Sequence, residues 1–159
     1  HPNVRLVLVP HEIDEAHMHR IFLTFKGRFV RFSEATKENI RQCQILVVDT
    51  MGMLSSLYRY ATVGYIGGGF GAGIHNTIEA AVYGIPVLFG PKFHKFREAK
   101  GLIAAGASQS VRNYAEFAEA MDNARLQHET MGNAAKQYVV SELGATDKIY
   151  MELFTKTKE

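Results

Sequence analysis

The sequence holds 159 residues, 47% of them hydrophobic, with 18 basic against 16 acidic side chains and a formal net charge of +2. That size and composition suit one domain with a real core and exclude a disordered tail. The basic residues are scattered rather than striped, which argues against a nucleic-acid surface; Cys43 is the single cysteine, so no internal disulfide is available and a reducing compartment is expected; no apolar run is long enough to span a bilayer.

In chain order, the sequence begins at His1, without a methionine and directly before a strand, and so reads as a fragment or processed chain. Residues 4–9 form a nearly continuous run of β-branched residues and leucine, the pattern of a strand buried on both faces. Pro10 ends it. The loop His11-Glu12-Ile13-Asp14 follows, with Asp14 placed to cap a helix over 15–26 whose Met18, Ile21, Phe22 and Phe25 fall at core spacing and which Gly27 ends. Residues 28–32 alternate basic and apolar and predict a short strand, and 33–42 are a loop or short helix. Cys43 opens the next apolar run and reads as a core thiol. Residues 45–48 are a second apolar strand, closed by Asp49-Thr50 and the loop Met51-Gly52-Met53, before a helix over 54–60. Residues 63–66 and 85–89 are further strands, with a helix after Asn76 that stops at Gly84. A helix over 96–105, a strand over 108–111, and helices over 131–143 and 146–154 complete the pattern. Asn113 caps a further helix with Phe117, Ala118 and Met121 inward. Strands alternating with helices imply a parallel sheet with helices on both faces, whose ligands sit outside the carboxyl ends of the strands. On this reading the loops at Pro10-His11, at 51–53 and at 67–76 meet at such an end.

The stretch 63–81 carries the strongest functional signal. Five glycines lie between Gly67 and Gly73, so the backbone is able to turn sharply and approach a ligand closely. Asn76 reads as the cap of a helix beginning Thr77-Ile78-Glu79-Ala80-Ala81. Unpaired N–H groups at such a helix start suit a phosphate, and Glu79, about one turn along, is placed for a sugar hydroxyl beside it. Other chemistries fit less well. Gly67-x-Gly69-x-x-Ala72 matches the dinucleotide fingerprint only loosely, with no acid at the end of the next strand, and no Walker sequence or nucleophile elbow is present. His17 and His19 fall on different faces of one helix, so His11, His17 and His19 do not make a metal set, and no cofactor is implied. The parts are those of a nucleotide site with no evident catalytic base.

Asp49-Thr50-Met51-Gly52, Leu57-Tyr58, Tyr65-Ile66-Gly67-Gly68, His75-Asn76-Thr77-Ile78-Glu79-Ala80-Ala81, Gly84-Ile85-Pro86-Val87 and Gly90-Pro91 together resemble the C-terminal half of the bacterial lipid A 3-deoxy-D-manno-octulosonic acid (Kdo) transferases, of the GT-B glycosyltransferase class. The resemblance runs over residues 4–143. It implies a Rossmann-like α/β fold with C-terminal helices, a single donor-nucleotide-binding domain over 1–159, and a full-length enzyme at the cytoplasmic face of the bacterial inner membrane. That enzyme moves Kdo from CMP-Kdo to a lipid A precursor with inversion. Its catalytic glutamate, membrane-docking patch and anchor belong to an N-terminal domain outside this sequence, so the fragment alone is expected to be soluble and inactive. Residue by residue, Pro10 and His11 match the loop that frames the cytosine. Met51, Gly52 and Met53 match the family's Met-Gly-Glu, with Met53 in place of the glutamate, which leaves only backbone contacts there. Asn76, Thr77, Ile78 and Glu79 match its Asn-x-x-Glu, with Asn76 at the phosphate and Glu79 at the ribose. His75 is a further loop candidate, and Lys92, Lys95 and Arg97 read as a solvated helix start that competes with a role at the Kdo carboxylate or acceptor phosphates. A UDP-sugar GT-B domain of cell-envelope synthesis and a non-catalytic nucleotide-binding module are the alternatives.

Overall fold

The computed structural model describes residues 4–154. The chain divides after Ser56 into two compact units, each with its own three-stranded, wholly parallel sheet, rather than one continuous sheet.

The first unit runs β1 (Leu6–Leu8), α1 (Glu15–Phe25), β2 (Val30–Arg31), α2 (Lys37–Gln42) and β3 (Ile45–Val47), with a 3-10 turn at Phe32–Glu34. Strand β3 is central, in register with β1 at Leu8↔Val47 and with β2 at Val30↔Leu46. Local chemistry sets the helix ends. The Asp14 carboxylate accepts from the N–H groups of Ala16 and His17 and starts α1. Lys26, at φ 53°, and Gly27, at φ 68°, end it in the left-handed region, with Gly27 N–H returning to the Phe22 carbonyl at 3.0 Å. Thr36 and Asn39 cap α2 reciprocally, each side chain accepting from the other's backbone N–H.

Two expectations fail in this unit. β1 is not buried on both faces: Leu6 and Val7 are 40% and 48% exposed. It is an edge of its sheet, paired only with β3, and an edge strand lacks cover on one side. On α1 only Met18 is fully buried, with Ile21 and Phe25 half-buried. Phe22 lies half in solvent, between the rings of His19 and Phe29.

The division falls within α3 (Leu54–Leu57), which continues as a 3-10 turn over Tyr58–Tyr60. Then follow β4 (Gly64–Ile66), α4 (Ile78–Ala81), β5 (Val87–Phe89), α5 (Arg97–Ala104), β6 (Ser108–Ser110), α6 (Tyr114–Leu126), α7 (His128–Ser141) and α8 (Ala145–Phe154). The strands lie in sequence order with β5 in the middle, and all three β5 residues are fully buried. Their side chains alternate. Val87 and Phe89 join Ala80 and Ala81 of α4, Leu102 of α5 and Ala135 of α7 on one face. Leu88 joins Val111, Ala120 and Ala124 of α6 and Met131 of α7 on the other. Helices therefore cover both faces of this sheet, as expected. Asn113 caps α6 through the Glu116 N–H, also as expected. The buried stripe of α6 is shifted, however: Ala120 and Ala124 are fully covered, while Phe117, Ala118 and Met121 are only half-buried. The small Ala120 and Ala124 let the helix approach the sheet, and Phe117 and Met121 flank the contact.

Candidate functional site

In the second unit the chain leaves β4 at Ile66 and enters the glycine-rich turn. The turn is laced internally. Gly71 and Gly73 both donate their N–H groups to the Gly68 carbonyl, at 2.8 and 3.3 Å, and His75 N–H returns to Gly67 at 3.3 Å. Gly68 sits at φ 85° with its Cα against the Gly73 carbonyl, so a side chain there meets backbone at once. Gly69 and Gly90 lie back to back: a Cβ on Gly69 would stand 2.6 Å from the Gly90 Cα.

At the far end of the turn, Asn76 accepts from the Ile78 N–H through Oδ1 at 2.9 Å and donates through Nδ2 to Glu79 Oε1 at 3.1 Å. The sequence placed the cap at Asn76. The helix instead begins one residue later, after Thr77, whose side chain makes no cap bond. Nor does α4 run on to Gly84; it is a single turn, Ile78–Ala81, followed by a tight turn with Gly84 at φ 69°. A one-turn helix has little dipole, so the turn offers an anion mainly its own N–H groups. Thr77 is 3% exposed, and Ile78 has its N–H engaged by Asn76. The side chains that this segment presents outward are those of Asn76, which is exposed, and Glu79, which is half-buried. Burial, and after it the charge of Glu79, push the Tyr58 hydroxyl above its ordinary pKa. The Glu79 carboxylate is thus electrostatically coupled to the half-buried phenol of Tyr58, a motif residue to which the sequence assigned no role.

In the first unit, Pro10 and His11 follow β1, and Met51, Gly52 and Met53 follow β3. These two strands are register neighbours, so both loops leave the same end of one sheet. His11 and Met51 are exposed, Met51 at 76%. Gly52 sits at φ 81° in open space. Met53 is half-buried, and its sulfur accepts from the Thr50 hydroxyl at 3.0 Å. At the foot of the same turn Asp49 accepts from the Ser33 N–H at 2.9 Å and the Ser33 hydroxyl at 2.6 Å. Burial raises the pKa of this carboxyl, but those hydrogen bonds and the nearby Arg31 charge outweigh it and hold it below the ordinary aspartate value.

Three further side chains gain roles that local sequence did not reveal. Lys92 donates its ammonium to the Gly71 carbonyl at 2.7 Å and its N–H to the Gly69 carbonyl at 2.9 Å. Arg97 pairs with Glu142 at 2.6 Å rather than standing alone at a helix start. His17 lies between two carboxylates, its Nδ1 2.5 Å from Asp14 and its Nε2 2.6 Å from Glu12. His11 and His19 are not in that cluster, whose three members, Glu12, Asp14 and His17, each offer one ligand atom within 4.8 Å of the others. The signal for each pairing lies between residues distant in sequence or across a cap, which composition and periodicity do not reach.

No family model matches the chain. Among curated proteins it is similar to the 3-deoxy-D-manno-octulosonic acid transferase of Aquifex aeolicus, 34% identical over 117 residues, which cover 72% of this chain and 32% of that protein. It is also similar to the enzyme of the same name from Bordetella pertussis, 31% identical over 123 residues, covering 74% of this chain and 29% of that protein. The chain thus spans about a third of the length of these relatives. Among solved structures, the C-terminal CMP-Kdo binding domain of WaaA from Acinetobacter baumannii matches with a TM-score of 0.68 at 15% identity, covering 86% of this chain and 90% of that one. The fold is therefore that of a GT-B glycosyltransferase C-terminal domain, and the sequence is similar to Kdo transferases.

Proposed function

We propose that this chain is the donor-binding part of a Kdo transferase, an inverting glycosyltransferase that holds CMP-Kdo while Kdo passes to a lipid A precursor in lipopolysaccharide biosynthesis. The observation that carries the reading is the Asn76–Glu79 pair, hydrogen-bonded at 3.1 Å at the end of the laced glycine turn, in a chain whose sequence is similar to Kdo transferases. In this reading Asn76 and the turn's N–H groups hold the CMP phosphate, and the Glu79 carboxylate accepts from the ribose hydroxyls. Thr77 and Ile78 shape that segment through their backbone. Pro10, His11, Met51, Gly52 and Met53 of the first unit are the residues that the resemblance assigns to the base, Met53 through its backbone because its half-buried side chain bonds Thr50. The base that activates the acceptor hydroxyl belongs to the remainder of a full-length enzyme working at the cytoplasmic face of the inner membrane. Among the described residues no helix is long and apolar enough to cross a membrane.

Titration of the chain with CMP and UMP, followed by amide shifts, tests this. CMP is expected to shift the turn's amides at lower concentration than UMP. Equal responses favour a UDP-sugar domain of the same fold, and no response to either overturns the nucleotide reading. The chain alone is expected to transfer no Kdo; robust transfer by it would overturn the placement of the base outside it.

A further inference from the structure

Lys92 holds the glycine turn from outside through two hydrogen bonds. Lys92 leaves the end of β5 two residues after Gly90, the residue packed against Gly69. Its main-chain N–H then binds the Gly69 carbonyl at 2.9 Å, and its ammonium binds the Gly71 carbonyl at 2.7 Å. The two bonds span the crown of the turn, while the bonds from Gly71 and Gly73 to Gly68 close it from within. A carbonyl oxygen carries partial negative charge. One left facing an anion repels it and is free to swing with the flexible glycine backbone. The ammonium removes both problems, because a charge-assisted bond fixes the peptide's orientation and neutralises its oxygen.

The geometry points to Lys92 as a positioning residue of the glycine turn, which ties down the carbonyls of Gly69 and Gly71 so that the turn presents to a phosphate those N–H groups that are not spent on the Gly67 and Gly68 carbonyls. This rests on the reading of the turn as the phosphate cradle. Lys92 acts through the turn, and an uncharged nucleoside is expected to feel it little. Lys95, three residues on, carries the same charge but lines a separate depression with Arg97, Lys100, Tyr138 and Glu142, and so serves as the control.

The test compares wild type with Lys92→Met, Lys92→Arg and Lys95→Met, using CMP and cytidine as ligands in calorimetry, and amide exchange in the ligand-free chain. Lys92→Met is expected to weaken CMP about tenfold or more, as for loss of a hydrogen bond to a charged group, with cytidine nearly unaffected. Lys92→Arg keeps charge and donors and should recover most of the CMP affinity, and Lys95→Met should leave both ligands near wild type. Without ligand, the amides of Gly71 and Gly73 should exchange faster in Lys92→Met than in wild type or Lys95→Met. Unchanged exchange together with unchanged CMP affinity in Lys92→Met overturns the assignment. So does an equal loss of CMP in Lys95→Met, which would make the effect one of general charge, or an equal loss of cytidine, which would make it one of general stability. If wild type fails to bind CMP, the nucleotide reading falls, while the exchange comparison still decides whether Lys92 holds the turn.

Discussion

The glycine-containing turns after β3 and β4 both follow parallel strands, and they are built on opposite principles. The turn after β3 carries one glycine, Gly52, at φ 81° with no atom near where its Cβ would stand. The turn after β4 carries five, and Gly68 and Gly69 are pressed against other backbone. In the first turn glycine answers a dihedral requirement alone; in the second it answers close approach of main chain to main chain. Only the second kind laces its own peptide groups together, and that is the turn to which a phosphate is assigned.

Substitutions separate the two. The largest effect is expected for Gly69→Ala, whose methyl would stand 2.6 Å from the Gly90 Cα. Backbone cannot yield as a side chain can, so a loss of about 3 kcal/mol is expected in denaturant unfolding; a loss below 1 kcal/mol, on the same scale, would show that the contact relaxes freely. Next comes Asp49→Asn, at the foot of the other turn. It weakens the charged acceptor for two bonds from Ser33 and should cost about 1.5 kcal/mol, the lower end for hydrogen bonds to charged groups. The carboxyl's folded pKa lies below its unfolded value, so its contribution is present above the unfolded pKa and is lost as pH falls through the folded one. Stability curves of wild type and Asp49→Asn should therefore converge below about pH 4; a gap that stays constant on acidification contradicts the assignment. Gly52→Ala meets no neighbour, so only the left-handed backbone opposes it, and about 1 kcal/mol is expected.

The smallest effect on stability is expected of Glu79→Gln, about 0.5 kcal/mol. Its carboxylate bonds the side chain of Asn76 rather than a cap N–H, and glutamine is able to replace it there. CMP affinity, in contrast, should fall by about 1.5–3 kcal/mol if the carboxylate accepts from the ribose, and cytidine should suffer as much as CMP. A lowered melting temperature with unchanged affinities would leave Glu79 a purely structural residue.

How far these turns could be read beforehand follows the range of their contacts. The alternation of strands and helices, the caps at Asp14 and Asn113 and the sharpness of the glycine turn are written within a few residues, and they appear in the structure where the sequence placed them. The length of α4 was not legible: Gly84 marks where the chain turns, but the helix already ends at Ala81, where tighter bonds from Tyr83 N–H to Ala80 and from Gly84 N–H to Ala81 replace the helical ones. The bond from Lys92 to Gly71 joins residues 21 apart, and that from Ser33 to Asp49 joins residues 16 apart. Neither has a periodic signature. The exposure of β1 was hidden for a related reason: an apolar run records what a strand is able to bury, whereas its place at a sheet edge decides what it does bury.

Helix α7 supplies Met131 to the apolar cluster on one face of the second sheet and Ala135 to the cluster on the other. Between them, Gly132 lies so close to the Gly84 carbonyl that no side chain fits. One turn of helix thus touches both layers and the turn that follows α4. The second unit should accordingly melt as a single cooperative block. The slowest-exchanging amides of α7 would open only with global unfolding, whereas the exposed glycine turn would open through local fluctuations.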